Sequence, residues 1–423
     1  MRNKKTPKKY LGALVLIGIV VLIAGCAPEA APPPTPEAAT PPQDIVIGQV
    51  MDYSGFFKTQ GACFKAAADT FERYINEEKG GIDGRNVRIV HYDFQTQPAK
   101  AVTAVKQGNM QDHPIAWVCG YSSAINAAKE QLAADQILML GLPNADGLSD
   151  PEEFVLITRP LYEESSLSSL KRSAAEHKGP GKYRWGMLAL EAMPSAQRTV
   201  DNVDKICEIT NTECAMIEWL PMQIADPSPF MAKIEAALPM DSVALGTVDA
   251  PVAMLLKAME ERGLKDKVTP TITHHAGPNA IRQLAGSAIE GLEVTCPYAS
   301  YTEADSIPMM ATICRLCEEY TPDYYPPDLL YLQAWVNYIC ITEGLSLAAE
   351  KVGWDQVTSA DLRDVLISGV EIDTGGISQP VYWEGPRYHR GLRWDKTTVQ
   401  TATGEKILYD WIEIPDWYET VGD

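Results

Sequence analysis

Little in this sequence points to catalysis or to nucleic acid. Basic residues are the minority: 36 Lys and Arg stand against 56 Asp and Glu, a formal net charge of −20. A chain this acidic is repelled by phosphate backbones and by anionic lipid surfaces. No basic patch or aromatic stacking platform offsets that charge, so no nucleic-acid partner is expected. Histidine is scarce, six in 423 residues. The motifs H-E-x-x-H, G-x-S-x-G and G-x-x-x-x-G-K-[ST] are absent. Carboxylate pairs such as Glu163-Glu164 read as solvated helix faces. Cys314-x-x-Cys317 has no second C-x-x-C and no histidine at zinc-finger spacing. No metal, cofactor or catalytic residue is therefore expected. Long apolar runs are also missing, apart from Leu11–Ile23, which is too short to cross a bilayer comfortably as a helix.

What is present begins with that run. Arg2, Lys4, Lys5, Lys8 and Lys9 precede it, and Ile23-Ala24-Gly25-Cys26 follows it. A basic start, an apolar run and small residues before a cysteine look like a lipoprotein signal peptide over 1–25, with Cys26 lipidated. The alternative is an ordinary signal peptide or membrane anchor. Losing the five positive charges of 1–25 from −20 leaves about −25. Ala27–Gln43 holds seven prolines and no aliphatic side chain larger than Ala. It reads as a semi-extended tether over 26–43.

Nine cysteines suit an exported chain, where disulfides persist. Setting Cys26 aside leaves an even eight. Cys207 and Cys214 flank a helix-to-strand turn and are expected to pair. Cys63 and Cys119 are a second candidate pair. Cys296, Cys314, Cys317 and Cys340 allow three pairings.

The stretch Ile45–Phe94 organises the rest. Ile45–Val50 is a short apolar, β-branched run and predicts a buried strand. Asp52-Tyr53-Ser54-Gly55 breaks it. A helix follows, with Phe64, Ala67, Ala68, Phe71 and Ile75 on one face. Gly80-Gly81 stops it, and Val87–Tyr92 is a second strand. Strand, helix and strand at this spacing make a βαβ unit with parallel strands. Ligands of such sheets sit beyond the carboxyl ends of the strands. Tyr53, Ser54 and Gln60 are candidate ligand residues on that ground.

The alternation continues with strands at Ile115–Cys119, Ile137–Leu140 and Phe154–Arg159. It restarts after Pro160 with helices at Leu161–His177 and Ser195–Glu208 and strands at Tyr183–Leu190, Cys214–Leu220, Val243–Thr247, Thr269–Thr273 and Leu292–Thr295. Long helices follow at Ile307–Tyr320 and Leu329–Glu350. Strands are expected at Gly375–Trp383, His389–Gln400 and Lys406–Glu413. The first rim carries Tyr121-Ser122-Ser123 before a helix, where hydroxyls and free backbone N–H groups suit a carboxylate. Alternatively, Ser122 or Ser123 only caps its own helix. The second rim carries Asp249 and the pair His274-His275. Those histidines either contact ligand or lie partly exposed at a strand end.

The Ser-Gly loop, the helix ending I-N-E-E-K-G-G-I-D-G-R and the following V-R-I-V-H-Y-D resemble the start of leucine/isoleucine/valine-binding receptors. These are type I periplasmic binding proteins of ABC importers. The likeness implies an α/β fold of two doubly wound Rossmann-like lobes joined by a three-segment hinge. Lobe one would comprise 44–160 and 296–372, and lobe two 161–295 and 373–423. It implies a ligand carboxylate held by the Tyr121–Ser123 loop, with further contacts from Leu142, Pro143 and Asn144. Family members often carry a tyrosine where this chain has Ala192-Met193-Pro194, which makes Met193 a candidate. Some hold the ligand ammonium with an acid where this chain has His274-His275, and Asp249 or Glu191 is the available substitute. The function implied is a monomeric, lipid-anchored, extracytoplasmic receptor. It would bind an amino-acid-like or carboxylate/amide ligand and serve an ABC permease in the membrane. A ligand-sensing subunit for a signalling partner, or an enzyme on the same scaffold, is the alternative.

Overall fold

The computed structural model describes residues 43–141, 154–191, 194–383 and 394–414. Two sheets carry the architecture. The first runs β2-β1-β3-β4-β5, with β1 Ile45–Met51, β2 Val87–Asp93, β3 Ala116–Cys119, β4 Leu138–Gly141 and β5 Val155–Ile157. All its pairings are parallel. Its crossovers include α1 Lys58–Arg73, α2 Pro98–Gln111 and α3 Ser122–Asp135. The order reverses between β1 and β3, so the loops after those strands flank the crevice where such sheets take ligands.

The second sheet runs β12-β11-β10-β9-β8-β6-β7. Its strands are β6 Tyr183–Leu190, β7 Thr212–Leu220, β8 Ser242–Gly246, β9 Thr269–Thr273, β10 Glu293–Cys296, β11 Trp394–Thr401 and β12 Gly404–Glu413. The first five pair in parallel and the last two add antiparallel at one edge. Around it lie α4 Tyr162–Glu176, α5 Pro194–Asp201, α6 Val203–Thr210, α7 Ser228–Ala237, α8 Asp249–Glu261 and α9 Pro278–Ala285. Here the order reverses between β6 and β8, which puts Asp249, just past β8, at the second switch point.

From β10 the chain returns to the first lobe as α10 Pro308–Tyr320, α11 Leu329–Val352 and α12 Ser359–Leu366. The 24-residue α11 is buried almost all round. Its Trp335 and Tyr338 pack on Phe71 of α1 at 5.2 Å between ring centroids. Each such ring removed from water contributes about 2 kcal/mol or more. Side chains also tie the crossings: Trp383 Nε1 donates to the Ile157 carbonyl at 2.6 Å, and Thr158 Oγ1 donates to Asn337 Oδ1 at 2.6 Å.

Three expectations need correction. Gly375–Trp383 is not a strand but makes one isolated bridge, Ile372 to Val381. Positive φ at Gly375 and Gly376, and Pro380 with no N–H, oppose a ladder. The helix over 195–208 is two helices, broken at Asn202, whose φ and ψ are −112° and 15°. Glu163 and Glu164 are not a solvated face. Both are buried, Glu163 against Arg198 at 2.8 Å and Glu164 accepting the Leu161 N–H at 2.9 Å.

Candidate ligand-binding cleft

The loop after β1 is held from below by Asp52, which is fully buried. Its Oδ1 accepts the Gly55 N–H at 2.6 Å and its Oδ2 the Phe57 N–H at 2.9 Å, with the Thr96 hydroxyl as a further donor. These bonds satisfy backbone donors that the start of α1 leaves open. Gly61 in the first turn of α1 lies against the Asp52 carbonyl, where a Cβ would collide with backbone. Glycine thus lets the helix start touch the strand end and sets the height of Gln60 over the cleft.

Gln60 reaches the other lobe. Its Nε2 donates to the His275 carbonyl at 3.3 Å, and its side chain lines the same cavity as Asp249. Asp249, the first residue of α8, is 6 % exposed and accepts the Gly277 N–H at 2.6 Å. Burial pushes its carboxyl up to about 7 despite that hydrogen bond, and the nearby charge of Asp328 adds to the rise. Asp328 caps α11 by accepting the Leu330 N–H at 3.1 Å. It also accepts the Asn279 N–H of the second lobe at 3.2 Å. Asn279 returns the contact through its side-chain amide, which donates to the Tyr324 and Pro326 carbonyls.

Two cavities flank this meeting point. One, of about 300 Å³, is lined by Phe56, Phe57 and Gln60 of the first lobe and by Met222, Ile224, Asp249, Met254 and Leu284 of the second. The other, of about 480 Å³, is lined by Cys63, Asp249, Asn279, Tyr324 and Asp328. Thr59 and Asp249 border both. A third, of about 60 Å³, lies beside His275 between α4 and the second sheet.

Of the residues read from sequence, Gln60, Asp249 and His275 therefore come together. His274 and His275 are not exposed but buried. Burial holds His274 well below the usual imidazole range and lowers His275 to about 4, so both are neutral near pH 7. Their nitrogens already have protein partners. His274 Nε2 lies 3.1 Å from the Pro160 carbonyl, His275 Nε2 lies 3.1 Å from the Leu245 carbonyl, and the Tyr162 ring packs against both.

Tyr53 and Ser54 turn toward the body of the first lobe. The Ser54 hydroxyl donates to Asp93 at 2.5 Å, and the Tyr53 hydroxyl donates to Gln49 Oε1 at 2.5 Å. Tyr121 is buried between Phe57 and Phe94, its hydroxyl donating to the Phe57 carbonyl at 3.2 Å. It stands at the N-cap of α3, where no side-chain cap forms, and Ser122 and Ser123 are the first helical residues. Leu142, Pro143, Asn144 and Met193 lie outside the described residues, as does Cys26. Glu191 is exposed at the end of β6. The cysteines of the described residues are free thiols, Cys207 and Cys214 included. Cys63 points at Asp328 and Cys119 donates to the Tyr121 carbonyl.

Sequence reasoning missed Asp52, Asp328 and the apolar wall of Met222, Met254 and Leu284. Asp328 had a legible signal, an Asp directly before a long apolar helix. Among the described residues no cluster of three or more His, Cys, Asp or Glu could hold a metal ion. Chemically, the cleft offers the buried carboxyls of Asp249 and Asp328, side-chain amides such as those of Gln60 and Asn279, and apolar walls.

Comparison with known proteins places this geometry. A periplasmic binding protein family model matches residues 44–393. The chain is 24% identical over 319 residues to a Leu/Ile/Val-binding protein homolog 4 of Brucella abortus, covering 68% of this chain and 70% of that protein. It superposes on a branched-chain amino acid ABC transporter protein of Thermus thermophilus with bound valine, with TM-score 0.75 and 16% identity, over 89% of this chain and 98% of the other. A solute binding protein of an ABC transporter from Rhodopseudomonas palustris BisB5, in complex with 3,4-dihydroxy benzoic acid, gives TM-score 0.71 and 13% identity, over 88% and 97%. The chain belongs to the periplasmic binding protein family, in its type I, two-lobed form.

Proposed function

We propose that the protein is the extracytoplasmic receptor of an ABC importer. It captures a small amino-acid-like or carboxylate/amide compound between its lobes and presents it to a membrane permease. The observation that carries the reading is the junction of Gln60 with His275 and Asp249, at the switch points of both sheets and beside two cavities. A ligand seated there touches both lobes, so its binding favours the closed arrangement by differential contact. The relatives support an amino acid or a related acid as cargo, since they are described as binding valine and 3,4-dihydroxy benzoic acid. Cys26 would carry the lipid, and 27–43 would give the body reach above the membrane surface. No helix among the described residues is long and apolar enough to cross a membrane.

The test is thermal denaturation of residues 44–423, unfolded and refolded to strip bound ligand. The panel would be branched-chain and polar amino acids, aromatic acids, short amides and urea. A ligand at 100 times its Kd stabilises by about 2.7 kcal/mol. Stabilisation by at least one class is expected. A refolded protein whose midpoint no compound moves would count against the receptor reading.

A further inference from the structure

We propose that the 300 Å³ cavity beside Gln60 binds the nonpolar body of the ligand. That body is aromatic or extended aliphatic rather than short and branched, with an amino or amide head on Asp249. This rests on the receptor reading and names the class of its cargo.

The first ground is where exposed apolar surface collects. Eleven large hydrophobic side chains are exposed among the described residues, and four of them line this one cavity. They are Phe56 at 42 %, Met222 at 36 %, Met254 at 37 % and Leu284 at 48 %. Scattered exposed apolar residues need no explanation, but a contiguous group does. The four come from four segments: the loop after β1, the loop after β7, α8 and α9. Phe56 alone belongs to the first lobe. Met222, Met254 and Leu284 form an apolar face of the second lobe, and Phe56 of the first lobe stands across the cavity from it.

The second ground is the supply of polar groups. His274 and His275 are buried and engaged with backbone carbonyls, so they offer the ligand no free nitrogen. Asp249 borders the cavity with its carboxyl, and Gln60 lies beside it. A carboxylate accepts hydrogen bonds, and a protonated carboxyl keeps acceptor capacity, so the matching head is a donor. A donor head on Asp249 with a nonpolar body lying toward Phe56 and Leu284 satisfies both ends. A body that spans the cavity also gains contact with both lobes, which a short side chain resting on one lobe forgoes.

The test is calorimetric binding to the full-length protein in mild detergent. The probes are leucine, phenylalanine, tryptophan, phenylalanine amide and 3-phenylpropionate, which lacks the amino group. The variant is Met254→Ser/Leu284→Ser. Both sites are exposed, so the fold should be retained, and the melting midpoint checks this. The expected result is that an aromatic amino acid or its amide binds at least about 10-fold tighter than leucine and than 3-phenylpropionate. The double variant should then lose about 10-fold or more for the aromatic probe and little for leucine. Leucine binding most tightly, with the double variant unchanged, would overturn this inference and leave the receptor reading standing. Aromatic binding that ignores the double variant would overturn it as well. Failure of every probe in this panel and in the wider amino-acid, acid and amide panel would remove both readings.

Discussion

The side-chain amide of Gln60 donates to the main-chain carbonyl of His275, 215 residues further along the chain and on the opposite lobe. The contact links the start of α1 to the loop after β9. Gln60→Ala should therefore weaken ligand binding while barely moving the unfolding midpoint, because each lobe keeps its own core. One net hydrogen bond amounts to about 1 kcal/mol, so a loss of about fivefold in affinity is expected. Titration calorimetry and a urea melt on the same variant would check this. A large drop in stability at unchanged affinity would contradict it.

Asp249 should make stability pH-dependent, and the sign follows from its environment. Burial raises its carboxyl to about 7, whereas a solvated aspartate ionises near 4. The folded form therefore binds a proton that the unfolded form has released in that window. Its stabilisation is fully present below about pH 4 and is lost as pH rises toward 7. Burial likewise raises Asp328, which adds to the trend. His275, lowered to about 4 by burial, acts in the opposite sense, since it is protonated more readily when unfolded. The informative quantity is thus the difference between the wild type and Asp249→Asn. Asparagine keeps an acceptor for the Gly277 N–H but cannot titrate. Relative to the variant, the wild type should lose stability between pH 4 and 7 in chemical denaturation. Parallel profiles would show that Asp249 does not titrate in this way.

Gly61 of α1 packs directly on the backbone of Asp52, just past β1. A Cβ there meets the Asp52 carbonyl and its carbon, the latter at 2.7 Å, and backbone cannot swing aside as a side chain can. Gly61→Ala should destabilise the first lobe by about 1–3 kcal/mol through overpacking, although alanine is the better helix former. It should also shift Gln60 and so weaken binding beyond the global effect. Gly263→Ala is an informative contrast. That glycine has open space around it but a φ of 62°, so any cost there is conformational rather than steric. A Gly61→Ala protein as stable as the wild type would show that α1 can slide along the strand end.

Much of the fold was legible because parallel strands covered on both faces are mostly apolar runs, as Ile45–Met51 is apart from Gln49. The resemblance misled at Gly375–Trp383, where glycine and proline deny the chain a ladder. Within the cleft, position beyond a strand's carboxyl end pointed to Gln60 and Asp249, and the structure places both along one cavity. Tyr53 was harder. Gln49 sits fully buried in β1 and needs partners, which it takes from Tyr53, His91 and Tyr338. The polar residue inside an apolar strand was the available sign that a nearby hydroxyl would turn inward. The wall of Met222, Met254 and Leu284 had no such sign. Its meaning lies in the apposition of three segments that sequence order separates.

Cys207, near the end of α6, and Cys214, near the start of β7, stand on either side of the turn at Asn211, whose φ of 52° reverses the chain. Both are free thiols, close enough that the charge of Cys207, after burial, is the next cause raising Cys214 to about 12. A thiol raised that far is a poor nucleophile at neutral pH, so the pair should oxidise slowly without a catalyst. Once joined, the short loop they close should stabilise the second lobe by about 2–3 kcal/mol, mainly by constraining the unfolded chain. Peptide mapping after catalysed oxidation should show Cys207 linked to Cys214, and the melting midpoint should rise. Cys207→Ser/Cys214→Ser should abolish that rise while leaving ligand binding intact, because neither residue borders the cleft. A map that links either cysteine to a different partner would instead mean that the α6–β7 turn opens before it is oxidised.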